Sequence, residues 1–241
     1  MSISNHELIH QREQMLHQET DVTATPAARV RTFCGLPYDC GGLTVVDLGA
    51  GGSDLTATLR REGALAYAVD AHYGSVGRIR SGVDRFYAQS RERYARNPLL
   101  GMLERIVGDN DQRELFTAAT FERSFREHPD WYIQGWLTRV PLPDDYANWV
   151  ISLCSIINFL KDRDLFTIAT DEAYRITKPE GILVIAPYIP TLAEKRGTST
   201  EWDHQVRRLT RLNDGGVVVE PVVEDSDSVL RLRLVKRKPY S

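Results

Sequence analysis

Three aspartates and a run of glycines hold the chemistry available to this sequence. Over Leu43 to Leu59, LTVVDLGAGGSDLTATL, an apolar run reaches Asp47, turns through Gly49, Gly51 and Gly52, and continues as a helix. A glycine turn between a strand and a helix presents backbone N–H groups to a ligand. A pyrophosphate fingerprint, G-x-G-x-x-G, counted from Gly49 and Gly51 needs a third glycine where this chain has Asp54. A carboxylate there competes for the N–H groups and positive dipole end that phosphates would use. The turn is therefore expected to receive a nucleoside without phosphates. Gly63 to Asp70, GALAYAVD, reads as a second buried strand ending in an acid. An acid about twenty residues past such a turn is placed to accept hydrogen bonds from two ribose hydroxyls.

Other runs must position these groups. Tyr146 to Ser155 reads as a strand, and Ile156 to Leu160 leads from it into a helix. In Asp171 to Gly181, DEAYRITKPEG, Lys178 suits a helix C-terminus, Pro179 stops the helix and Gly181 allows the turn. The apolar run Ile182 to Ala186 that follows has the continuity of a strand buried on both faces. Gly216 to Glu220 and Val229 to Val235 are β-rich, and the second alternates apolar with basic residues, as a strand wet on one face should. Upstream, one helix runs to about Glu19, a Thr-rich break covers Thr20 to Thr25, and a second helix starts at Pro26. The charged span Val83 to Pro129 is expected to form helices over Val83 to Arg96, Leu99 to Val107 and Asp111 to Glu127.

The segment Asp47-Leu48-Gly49-Ala50-Gly51-Gly52-Ser53 resembles motif I of the class I S-adenosylmethionine-dependent methyltransferases, [D/E]-x-G-x-G-x-G, with Ser53 in place of the last glycine. Trp131 to Pro143 resembles the third and fourth strand region of that family, and Asp171 to Gly181 its E-x-x-R-x-L-K-P-G-G. With the final strand pair, the resemblance covers about residues 43 to 236. It implies an α/β, Rossmann-like, seven-stranded mixed sheet, with residues 1–38 as a helical lid and 83–129 as a helical insertion in a single domain, 1–241. It also implies S-adenosylmethionine as cofactor, held by Asp47, Gly49, Ala50, Gly51, Asp70, Ala71, Trp136, Leu137, Cys154 and Ser155. Trp136 stands where the family often has an aspartate for the adenine amino group, so stacking and backbone groups are expected to take over that task. Asn158 and Tyr188 are the candidate catalytic residues at the carboxyl edge of strands four and five. Ser155, Tyr73, Tyr132 and Trp131 are further candidates for the chamber wall.

Composition narrows the partners. A chain of 241 residues, 42% hydrophobic, suits one α/β domain rather than two. A formal net charge of −3 argues against an electrostatic grip on nucleic acid. The polar N-terminus and the absence of a long apolar run lead us to expect a cytoplasmic protein without a membrane partner. Cys34, Cys40 and Cys154 are expected as reduced thiols. The histidines show no zincin spacing, so no metal is expected, and His6, His10 and His17 are read as a solvated helix face.

A sulfonium is an activated methyl donor, so the protein need only hold a nucleophile in line and, where needed, remove a proton. The resemblance thus implies methyl transfer to a small molecule enclosed by lid and insertion. Two alternatives stay open. One is a methyltransferase-like cyclase that closes the cofactor's own methionine part to azetidine-2-carboxylate and expels methylthioadenosine. The other is a non-catalytic adenosyl-binding module. The methyl acceptor and the oligomeric state are left open.

Overall fold

A computed structural model describes residues 5–19, 24–75, 77–83, 111–190, 194, 197–213, 216–222 and 229–237. Burial on both faces dictates its centre. β1 (Thr44–Leu48) is buried along its whole length. Val46 and Leu48 face one core while Val45 faces the other. β5 (Thr177–Tyr188) does the same, with Leu183 and Ile185 on one side and Val184 and Ala186 on the other. A strand buried on both faces is apolar at most steps, which is why these runs do not alternate; Thr44 and Asp47 are the buried polar exceptions in β1.

β1 pairs in parallel with β2 (Leu65–Asp70) and with β4 (Ala147–Leu153). β2 carries β3 (Tyr132–Gln134) on its far side, and β4 carries β5, all parallel. β7 (Leu230–Val235) and β6 (Val217–Pro221) close the sheet as an antiparallel pair. The order is β3-β2-β1-β4-β5-β7-β6, the seven-stranded mixed α/β sheet that the sequence led us to expect. Strand order reverses between β1 and β4, and in open α/β sheets such a switch point opens a crevice at the carboxyl ends of the strands.

Helices cover both faces. α3 (Leu55–Arg61) and α2 (Ala27–Cys34) lie on one, with Val30, Phe33, Leu55 and Leu59 against Val45, Ile151 and Val184. α5 (Arg163–Ile176) and α6 (Ser199–Leu212) lie on the other, with Leu165, Phe166, Ala169, Ala173 and Ile176 from the first and Trp202 and Leu209 from the second. The expected helix over Asp111 to Glu127 is α4 (Asp111–Glu127), whose Phe121 enters a third cluster with Tyr73 and Tyr132. The expected helices Val83 to Arg96 and Leu99 to Val107 fall outside the described residues, apart from Val83 at the end of a helical segment over 77–83.

The expected lid over 1–38 divides in two. α2 is a sheet-packing helix with Val30 1% exposed, because its apolar face has the spacing of a core helix. Only α1 (Asn5–Glu19) lies outside that layer. It is held largely by polar groups: Arg12 donates to Asp162 and, at 3.2 Å, to Asp164. His10 is half-buried with its ring 4.7 Å from Trp136, so it does not belong to a solvated face.

The turn into β5 differs from expectation. α5 ends at Ile176, two residues before Lys178, and Thr177 already pairs with Ala147. Glu180, not Gly181, takes the left-handed backbone, with φ 65°. Gly181 is required for space, since a Cβ there would lie 2.8 Å from the Lys178 carbonyl and 3.0 Å from those of Ala147 and Asn148.

The Glu172–Arg175 pair of the E-x-x-R motif acts as a staple for the β3–β4 loop. Arg175 donates to Glu172, to Asp144 and to the carbonyls of Val140 and Leu142, while the Val140 N–H donates to Glu172. These partners raise the Arg175 pKa, the Glu172 hydrogen bond most of all. Arg175→Ala strands two part-buried carbonyls and should cost about 1–3 kcal/mol. Urea unfolding checks this: the midpoint should fall with the denaturant slope unchanged.

Candidate functional site

The site is built from the tips of four neighbouring parallel strands. At the tip of β1, Gly49 has φ 71° and Gly51 has φ 53°, a conformation that disfavours any side chain. Gly49 is doubly constrained, since a methyl group there would collide with the Ser155 side chain. The Ser155 hydroxyl donates to the Gly49 carbonyl at 2.8 Å, tying the tips of β4 and β1 together across the switch point. Gly52 has Val83 and Ala24 within 3.3 Å and 3.5 Å of where its Cβ would sit.

Asp70 ends β2 and organises the turn. One oxygen accepts the Gly51 N–H at 3.0 Å and the other accepts the His72 N–H at 2.8 Å. The second bond opens a short 3₁₀ turn, Ala71–Gly74, from which Tyr73 donates to the Gly51 carbonyl at 3.0 Å. Tyr73 is thus a buried strut, packed 5.9 Å from Phe121 and 5.5 Å from Tyr132, and its hydroxyl pKa is raised by burial first and by Asp70 next. It does not wall a chamber.

Asp47 lies one residue before the end of β1 and is buried. Burial, and after it the negative charge of Asp70, pushes its carboxyl up to about 7. Asp54 is also raised by burial, but its hydrogen bonds run against expectation. It makes no cap bond to its own helix and instead accepts the Ala27 N–H at 2.7 Å. Ser53 adds a bond to the Thr25 carbonyl at 2.8 Å. Together they lock the start of α2 to the glycine turn.

Cys154 follows β4 with φ 65°, unusual for a residue with a side chain and of a kind found at functional sites. Its N–H donates to the Ala186 carbonyl at 2.7 Å, so the twist is held by the sheet. The residue is exposed in surface area, yet burial pushes its thiol up to about 11, with the charge of Arg29 acting the other way. Cys34 and Cys40 are free and buried.

At the tip of β3, Gly135 donates to the Asp70 carbonyl at 3.2 Å, and Trp136 is half-buried against His10. The Leu137 N–H is taken by Glu13 of α1 at 2.8 Å, and Glu13 also accepts from the Thr138 hydroxyl and N–H. Glu13 is fully buried, and nothing in its local sequence marked it for this place. Asn158 is exposed on the 3₁₀ segment Ile156–Lys161 that follows Ser155. Tyr188 is 6% exposed and stacked 4.1 Å from Trp202.

The structure therefore brings Asp47, Gly49, Ala50, Gly51, Asp70, Ala71, Cys154 and Ser155 to adjacent strand tips. It sets Trp136 and Leu137 under α1. A groove of about 420 Å³ lined by Glu7, His10, Trp136 and Thr138, and another of about 660 Å³ lined by Arg12, Arg163, His204 and Arg208, run beside α1. Neither is lined by the glycine turn. Among the described residues no cluster suits a metal, and no helix is long and apolar enough to cross a membrane.

No family model matches the chain, and no curated protein does. Among solved structures it is similar to a TehB-like SAM-dependent methyltransferase from Corynebacterium glutamicum, at 13% identity and TM-score 0.48, covering 96% of this chain and 97% of that one. It is also similar to the magnesium protoporphyrin IX methyltransferase of Synechocystis, with bound SAM, at 13% identity and TM-score 0.44, covering 98% and 86%. A third is a mutant of the 16S rRNA (adenine(1408)-N(1))-methyltransferase with SAM from Catenulisporales acidiphilia, at 16% identity and TM-score 0.46, covering 84% and 88%. The fold rests on the strand order and register, not on these overlaps.

The elevated Asp47 carboxyl has a consequence for stability. The folded protein holds this proton up to about pH 7, whereas the unfolded chain releases it in the usual carboxylate range. Between those limits the folded state binds more protons, so this group's contribution falls as pH rises toward 7 and stays low above it. Asp47→Asn removes the effect. Melting curves from pH 4 to 8 should show the variant gaining on wild type as pH rises, with the gap smallest at pH 4.

Proposed function

We propose that this protein is an S-adenosylmethionine-dependent methyltransferase acting on a small molecule. The observation that carries the reading is the Asp70 carboxylate joined to the glycine turn at the switch point. A carboxylate has roughly four lone-pair positions, of which backbone N–H groups take two, leaving acceptors for the two ribose hydroxyls. The Gly51 N–H, which a phosphate would need, is already committed. Asp54 adds negative charge beside the same turn, which disfavours a pyrophosphate further.

When bound, the cofactor supplies an activated methyl group. Gly49, Ala50 and Gly51 give its chain room to lie against backbone, Asp70 holds the ribose, and Ala71 and Trp136 flank the base. The Leu137 N–H can meet the base only if Glu13 releases it. Cys154 and Ser155 form the floor of the crevice. Asn158 is the proposed group facing the acceptor. Tyr188, stacked on Trp202, supports the wall of the chamber. α1, tethered by Glu13 and Arg12 rather than by a broad apolar face, is the proposed lid, and the chain is proposed to act in the cytoplasm as one domain without nucleic acid as substrate.

Calorimetry with S-adenosylmethionine, S-adenosylhomocysteine and NAD tests the ligand. Heat with either adenosyl ligand and none with NAD is expected; tight NAD binding alone would overturn the reading. Asp70→Ala should weaken S-adenosylhomocysteine by about 1.5–3 kcal/mol while the sheet stays folded. The nucleoside product separates the reactions: S-adenosylhomocysteine formed only with an acceptor means methyl transfer, whereas methylthioadenosine formed without one means cyclisation.

A further inference from the structure

Glu13 carries a carboxylate into the interior, with 0% exposure. It is received by the turn that follows β3, Trp136 to Arg139, which the Arg139 N–H closes on the Trp136 carbonyl at 3.0 Å. The N–H groups of Leu137, at 2.8 Å, and Thr138, at 3.4 Å, donate to one carboxylate oxygen, and the Thr138 hydroxyl donates to the other. Successive N–H groups of a turn aimed at one point make a cradle for an acceptor. Here the acceptor comes from α1.

The rest of α1 holds Glu13 in place. His10, Glu13 and Gln14 share one helix face by their spacing. The His10 ring lies 4.7 Å from Trp136, and Gln14 is hydrogen-bonded to His10 at 2.9 Å. Arg12 reaches the other way, to Asp162 and Asp164 beyond the exit of β4, where Asp162 also caps α5 through the Leu165 N–H at 3.2 Å. α1 is thereby pinned to the exits of β3 and β4 together, strands that stand on either side of the β2–β1 pair.

That position bears on a nucleoside. A ribose on Asp70 sits at the tip of β2, with the glycine turn of β1 on one side and the turn after β3 on the other. The base and the 5′ chain leave a ribose on opposite sides, so a chain that runs toward β1 sends the base toward β3. A base needs N–H donors for its ring nitrogens. Gly135 has already given its N–H to the Asp70 carbonyl at 3.2 Å, and Leu137 and Thr138 beyond it are held by Glu13.

We propose that Glu13 is an internal competitor of the adenosyl ligand: its carboxylate and the base claim the same turn donors, so binding requires α1 to let go. This rests on the proposed adenosyl site and adds its regulation. α1 holds the site shut through one buried side chain, and whatever loosens that side chain favours the ligand.

The test is calorimetry of wild type, Glu13→Ala and Glu13→Gln with S-adenosylhomocysteine and with adenosine, which share the base. Glu13→Ala should bind both ligands about 3- to 30-fold more tightly, the scale of one net hydrogen bond removed from the competing state. Glu13→Gln, which keeps the shape and one acceptor but loses the charge, should fall between wild type and Glu13→Ala. Unchanged or weaker binding by folded Glu13→Ala would overturn the competition and leave the adenosyl site standing. Binding of neither ligand by folded wild type and by folded Glu13→Ala would overturn both. Wild type alone covers the case where the variants do not fold: backbone hydrogen exchange across α1 should speed up at least about 3-fold when S-adenosylhomocysteine binds, because the helix loses its pin. Exchange that slows or stays the same refutes the displacement.

Discussion

The Asp70 carboxylate accepts from Gly51 on one side and from His72 on the other, so one side chain fixes both the glycine turn and the 3₁₀ turn after β2. Each bond alone is worth about 1 kcal/mol net, or somewhat more because the acceptor is charged. Their geometric effect is larger than that figure suggests. They aim the turn's backbone along the crevice and seat Tyr73 so that its hydroxyl closes on Gly51. The Ser155–Gly49 bond then carries the constraint to β4. Four strand tips become one surface because each polar group at the edge is bonded to the next strand.

The N-terminal segment is joined to this surface by polar groups drawn from distant sequence. Asp54 binds Ala27, Ser53 binds Thr25, and Glu13 binds Leu137 and Thr138. α2 adds a true apolar face to those bonds, and α1 does not. Helices held over apolar faces open only with much of the core, whereas those held by a few hydrogen bonds can open locally. Among the described residues α2 is therefore tied to the sheet by an apolar face, and α1 chiefly by polar bonds.

Sequence patterning reached the frame and stopped at long-range polar contacts. Continuous apolar runs located β1, β4 and β5 because burial on both faces leaves a strong signature. The acid that ends β2, Asp70, is legible for the same reason, as a polar end to an apolar strand. Asp54 was read as competing for the N–H groups of its own helix, since its true partner, Ala27, is brought to it only by the packing of α2. Glu13 and Arg29 gave no signal because each sits on a short polar pattern whose orientation is decided by tertiary contacts. α6 carries a legible signal, since Trp202, Gln205 and Leu209 share one buried face at helical spacing, but it lies beyond the motifs that mark the sheet. The β5 turn was misplaced because a rare left-handed Glu180 did the work assigned to glycine.

Charge along the edge gives these contacts a direction. Asp47 sits beside Asp70 in a dry position, and the proximity of like charges together with burial makes its ionised form costly. A ligand that brings positive charge near Asp47 relieves that cost, while a ligand that brings only negative charge increases it. The charge of Arg29 on α2 acts the other way on the Cys154 thiol, favouring its ionised form. A neutral nucleoside satisfies only Asp70, and an anionic dinucleotide meets repulsion over most of the edge.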